Sequence, residues 1–111
     1  MISNAVVVSS RAVVTKCVLG MDYDNTSNLI YLYIQGTGFN PSQVRFDFMD
    51  EASSAILSTT RIDYKTVQSG YIVKFRKEGN WDKAGKEIKV TISKKSGNID
   101  FTQNEFDAVL E

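Results

Sequence analysis

The sequence predicts an all-β chain folded as a two-layered sandwich. Three observations carry that prediction. Leu29 to Phe48 reads LIYLYIQGTGFNPSQVRFDF, two alternating runs joined by a glycine-rich turn. Ile30, Leu32 and Ile34 share one face of the first run, and Tyr31 and Tyr33 share the other. Val44, Phe46 and Phe48 share one face of the second, against Arg45 and Asp47. Alternation of this length is the mark of half-buried antiparallel strands. The same period returns at Tyr71, Val73 and Phe75, and again at Ile88, Val90 and Ile92. Turn residues punctuate these runs at short intervals, with a single proline in the whole chain.

Each element follows from its own residues. Ala5–Val8 and Ala12–Leu19 are valine-rich and therefore β-prone. The segment 20–28, GMDYDNTSN, is a polar loop. Gly36-Thr37-Gly38 and Asn40-Pro41 separate the next two strands. Ala55–Ser58 and Arg61–Lys65 are short and half polar, as edge strands or a bent connection would be. The segment 77–86 is a loop with two glycines. Near the end the period changes: Thr102 stands three residues before Glu105, and Phe106, Val109 and Leu110 follow at helical spacing. This predicts a short C-terminal helix over one end of the sandwich. A final strand from Glu105 to Leu110 is the competing reading. About seven short strands at this spacing make an immunoglobulin-like β-sandwich, a single domain over residues 1–111.

The segment YIQGTGFNPSQVRFDF also resembles the early part of IPT/TIG-type immunoglobulin-like domains. The matching positions are Gly36, Gly38, Phe39, Val44 and Phe46. The family's later proline-containing strand before a glycine turn has no counterpart here. Physically, glycine supplies the turn's positive φ, Phe39 plugs the sandwich end, and Val44 and Phe46 face the core.

Composition excludes several kinds of chemistry. The chain has 111 residues, enough for a core without staples. Basic and acidic residues balance at 13 each, so neither nucleic acid nor membrane is an expected partner. There are no histidines. That removes serine–histidine and cysteine–histidine pairs, the usual base near neutral pH and the commonest zinc ligand. The one cysteine, Cys17, stands among Val14, Val18 and Leu19 and is expected to be a buried structural thiol. Met1 is followed by Ile2, Ser3 and Asn4 with no basic segment. This opening predicts cytoplasmic synthesis without a signal peptide.

One loop carries spacings that other families use for chemistry. Asp22-Tyr23-Asp24-Asn25-Thr26 resembles the D-x-D-x-T motif of haloacid-dehalogenase-type phosphotransferases. Those enzymes place helices between parallel strands, and this chain has none of that pattern. The loop also starts like a calcium loop, but Ser27 stands where glycine is needed and Tyr33 where glutamate is needed. Weak calcium binding through Asp22 and Asp24 stays open. Gly36-Thr37-Gly38 is followed by no helix and by no lysine at the required offset, so it is a turn and no phosphate cradle. No catalytic residue and no cofactor is expected.

The aromatic residues carry the functional expectation. Tyr31 and Tyr33 point outward if Ile30, Leu32 and Ile34 face the core. Outward tyrosines serve as anchors at protein interfaces or as sugar platforms, or they cover neighbouring side chains of their own sheet. Trp81 either caps the sandwich end or is an exposed anchor. Lys74 and Arg76 belong to a basic stretch reaching Lys95, while the first half and the extreme end are acidic. Opposite patches suit contacts within a lattice and self-association. The predicted partner site is therefore Tyr31, Tyr33, Trp81, Lys74 and Arg76. The expected function is a non-enzymatic, protein-binding module in an assembly, with a bacteriophage capsid decoration or tail protein as the leading version. A carbohydrate-binding module is the alternative.

Overall fold

A computed structural model describes residues 10–21, 28–95, 99–101 and 103–110. The predicted strand Ala5–Val8 and the Asp22–Thr26 loop lie outside these residues. Eight strands run in chain order: β1 Ser10–Met21, β2 Leu29–Thr37, β3 Val44–Asp50, β4 Ile56–Val67, β5 Gly70–Glu78, β6 Glu87–Lys94, β7 Ile99–Phe101 and β8 Glu105–Val109. Short 3-10 turns at Pro41–Gln43 and Asn80–Lys83 are the helical elements among the described residues.

The strands form one curled sheet in the order β7-β1-β2-β5-β4-β3-β6-β8. All strand pairings are antiparallel except that of β7 with β1, and the isolated Leu19–Leu110 bridge is also parallel. Two segments change partners and bend the sheet over. β4 pairs with β3 at Ile56 and Leu57, then follows β5 from Ser58 to Val67. At the other side, β7 lies along β1, β8 lies along β6, and Leu110 bridges back to Leu19. Strands that switch partners in this way turn the corners between packed layers.

The expected inward faces are the observed ones. Ile30, Leu32 and Ile34 are fully buried, as are Val44, Val73, Ile88, Val90 and Ile92. Phe46, Phe48 and Phe75 join them, with Arg45 and Asp47 exposed between the first two. Gly38 has φ of 87°, the positive value its turn requires. At Gly36 a Cβ would stand 2.2 Å from the Val13 carbonyl oxygen, so β1 and β2 could not approach there with a larger residue. Phe39 closes this end, packed on Tyr71 at 6.1 Å and Phe101 at 5.8 Å.

Two expectations change. The C-terminal segment is not helical but follows the competing reading: Glu105–Val109 is strand β8, paired with β6 from Thr91 to Glu87. The helical spacing of Phe106, Val109 and Leu110 is outweighed by that ladder, which buries Ala108 and leaves Val109 exposed. The two short runs expected at Ala55–Ser58 and Arg61–Lys65 are one strand, β4. It is both bent and, beyond Leu57, paired on one side only.

Candidate protein-interaction face

The register of β2 against β5 assembles most of the predicted site. Tyr31 stands opposite Lys74, Tyr33 opposite Ile72, and Leu29 opposite Arg76. These residues share the outward parity of β1-β2-β5-β4, because their neighbours Ile30, Leu32, Val73 and Phe75 are buried. β1 adds Val18 opposite Tyr33 and Gly20 opposite Tyr31. β4 adds Lys65 opposite Ile72 and Asp63 opposite Lys74. The result is a row, Val18–Tyr33–Ile72–Lys65, beside a second row, Gly20–Tyr31–Lys74–Asp63.

Two bulges set this face. Thr15 is the extra residue between Val14 and Lys16 in β1. It shifts the inward parity from Ala12 and Val14 to Cys17 and Leu19, and so turns Lys16 and Val18 outward. Ile62 is the extra residue in β4 between Arg61 and Asp63, and it is 41% exposed.

Both tyrosines are half-buried by neighbours on the same face. Tyr33 accepts a hydrogen bond at its hydroxyl from Gln35 Nε2 at 2.6 Å. Lys16 Nζ sits 5.8 Å from the centre of its ring. Tyr31 borders a shallow depression of about 300 Å³ with Ile72, Lys74, Asp63, Lys65 and Tyr64. The sequence reading missed Ile72, Asp63, Lys65 and Lys16 as members of this face. One signal was available: Ile72 is an apolar residue on the outward parity of Lys74 and Arg76.

Trp81 does not belong to this face. It is buried, packs on Phe48 at 5.8 Å, and donates from Nε1 to the Ser58 carbonyl at 2.7 Å. Its burial excludes the exposed-anchor role.

Three titratable groups elsewhere have perturbed settings. Burial pushes the Cys17 thiol up to about 12, which keeps it protonated and unreactive. Asp50 accepts from the Ser53 hydroxyl at 2.7 Å, Gly85 N–H at 2.9 Å and Ser53 N–H at 3.1 Å. These bonds, the Ser53 hydroxyl first, hold its carboxyl below the ordinary value. Glu51 is moved the other way: the neighbouring Asp107 carboxyl is the leading cause and desolvation adds to it, and its buried Oε1 has no hydrogen-bond partner among the described residues. No group of three or more histidine, cysteine, aspartate or glutamate residues among the described ones could hold a metal ion. No described helix is long and apolar enough to cross a membrane.

Comparison with protein-family models, curated proteins and solved structures gives no match.

Proposed function

We propose that this chain is a protein-binding module that works in an assembly through the outer face of β1-β2-β5-β4. One observation carries the reading: the β2–β5 register gathers Tyr31, Tyr33, Ile72 and Lys74 into one patch. An aromatic and aliphatic centre with mixed charges around it is the composition of a protein interface.

The finer fold reading belongs to the same proposal. Pairing in the orders β1-β2-β5-β4 and β3-β6-β8 matches the ABED and CFG sheets of a constant-type immunoglobulin sandwich. This correspondence supports the IPT/TIG-like resemblance of the Gly36–Phe46 segment at the level of fold. The virion setting, a capsid decoration or tail protein, follows from analogy between folds.

A sugar platform is disfavoured by one detail. Stacking on a sugar needs an open ring face, and Lys16 already sits over the Tyr33 ring. The deciding experiment sets the purified chain against a glycan array and against the proteins encoded beside its gene. Binding to one of those proteins is expected. Retention on glycans that is lost in a Tyr31→Ala/Tyr33→Ala variant would overturn the reading.

A further inference from the structure

A second surface lies where β4 leaves β3, and its backbone is prepared for another strand. Lys95 N–H bonds the Gln43 carbonyl at 2.8 Å, and Glu51 N–H bonds the Glu87 carbonyl at 3.0 Å. Hydrogen-bonding direction alternates along an antiparallel strand. Arg45, Asp47 and Met49 therefore turn their backbone groups to β6, and Val44, Phe46, Phe48 and Asp50 turn theirs away from it. On that far side Asp50 N–H reaches the Ala55 carbonyl at 2.9 Å, and Phe48 is paired with Leu57. The β3–β4 ladder ends at Phe48–Leu57, because from Ser58 onward β4 follows β5. Phe46 thus directs its N–H and C=O to an edge with no β4 residue in register.

The opening is a cleft of about 510 Å³. Phe46 and Phe75 give it an apolar lining, and Arg45, Arg61 and Lys95 give it three cations against the single acid Asp47. Arg45 and Asp47 form an exposed ion pair at 3.7 Å. Arg61 spans the opening from β4. Its Nη1 donates to the Pro41 carbonyl and, at 3.4 Å, to the Val44 carbonyl. Its guanidinium stands 6.0 Å from the centre of the Phe46 ring. A cationic side chain therefore occupies an acceptor that a neighbouring strand would otherwise use.

We infer that this cleft binds an extended acidic segment of a partner protein, which adds as a strand to β3 at Phe46. Strand addition draws its affinity from main-chain bonds to an open edge and its specificity from alternate side chains. Strands pair about 4.8 Å apart, so a peptide along β3 would bring its side chains beside Arg61, and Lys95, whose side chain lines the same cleft, stands at its end. A carboxylate there takes the Arg61 guanidinium, while a peptide N–H replaces it on the Val44 carbonyl. The excess of positive charge selects glutamate or aspartate over lysine at those positions.

The test uses the full chain labelled with nitrogen-15 and a short peptide alternating glutamate and valine. A matched peptide with lysine in place of glutamate is the control. Titration should shift the Phe46 amide resonance and slow its hydrogen exchange, with no such effect from the lysine peptide. Arg61→Gln and the exposed Lys95→Glu should each weaken binding by about tenfold or more, since the first removes and the second reverses a cation facing the peptide carboxylates. Lys95→Glu keeps the test decisive if Arg61→Gln fails to fold. Equal binding of the lysine peptide, binding that leaves the Phe46 amide unchanged, or no binding at millimolar peptide would each overturn the inference.

Discussion

Phe75 of β5 meets Phe48 of β3 edge to face, with ring centres 5.0 Å apart and planes at 80°. Phe46 packs on the same ring at 5.7 Å. These contacts cross the interior and hold one half of the curled sheet against the other. Edge-to-face pairs of this kind add about 0.5–1.5 kcal/mol beyond their burial.

Phe75→Ala should therefore cost about 3–5 kcal/mol of unfolding free energy, the range for buried aromatics. Arg45→Ala should cost under about 1 kcal/mol, because its ion pair with Asp47 is exposed. Urea denaturation of both variants measures the contrast. Equal losses would mean that the faces of β3 and β5 are wrongly assigned.

Trp81 offers a second stability test. Trp81→Phe keeps a ring beside Phe48 but removes the bond to the Ser58 carbonyl. A loss of about 1–3 kcal/mol is expected, since that carbonyl loses its donor. Trp81→Ala should cost about 3–5 kcal/mol by emptying the site. Near-neutral values for both would return Trp81 to the surface.

The parts of this fold legible in the sequence are those with a strict period. Ile30–Ile34, Val44–Phe48, Tyr71–Phe75 and Ile88–Ile92 alternate without interruption, and the core follows them. The bulges at Thr15 and Ile62 break the period, so the faces of β1 and β4 were not readable. Nor was the pairing of β2 with β5, which joins segments distant in the chain. Without it Tyr31 and Lys74 were separate candidates; with it they are neighbours. The C-terminal segment misled because five residues can satisfy a helical spacing and a strand at once.

Stability in acid should carry two contributions of opposite sign. Asp50 titrates below its ordinary value of 3.8 in the fold, so its stabilisation is present above that pH and is lost as pH falls through the folded value. Glu51 titrates above its ordinary value of 4.5, so its contribution is present below that pH and is lost as pH rises through the folded value. Asp50→Asn should flatten the acid limb of the melting temperature against pH. Glu51→Gln should be at least as stable as the parent at pH above 4.5, because an amide brings no charge to desolvate or to set against Asp107. Thermal melts across the acid range decide both, and a Glu51→Gln variant less stable than the parent above that pH would contradict the upward shift of Glu51.

Cys17 should resist modification in the folded protein. With the thiol pushed up to about 12, the thiolate is scarce at pH 8. Ellman's reagent should label it only on unfolding in denaturant. Rapid labelling of the native chain would mean that β1 opens locally or that the thiol is more exposed than its packing on the core implies.

Tyr31 and Tyr33 separate folding from binding. Both lie outside the core, and Tyr33 is tied to Gln35 and covered by Lys16. Replacing both with alanine should cost about 1 kcal/mol of stability, a surface-sized effect with one hydrogen bond lost. Tyrosines at the centre of an interface each contribute about 2 kcal/mol or more to binding, roughly thirtyfold in affinity. The double variant should therefore melt close to the parent yet lose its protein partner. Calorimetric melting and a binding isotherm on the same sample read the two effects apart. A variant that unfolds would make the pair part of the packing of β2. One that melts and binds like the parent would move the contact surface off this face.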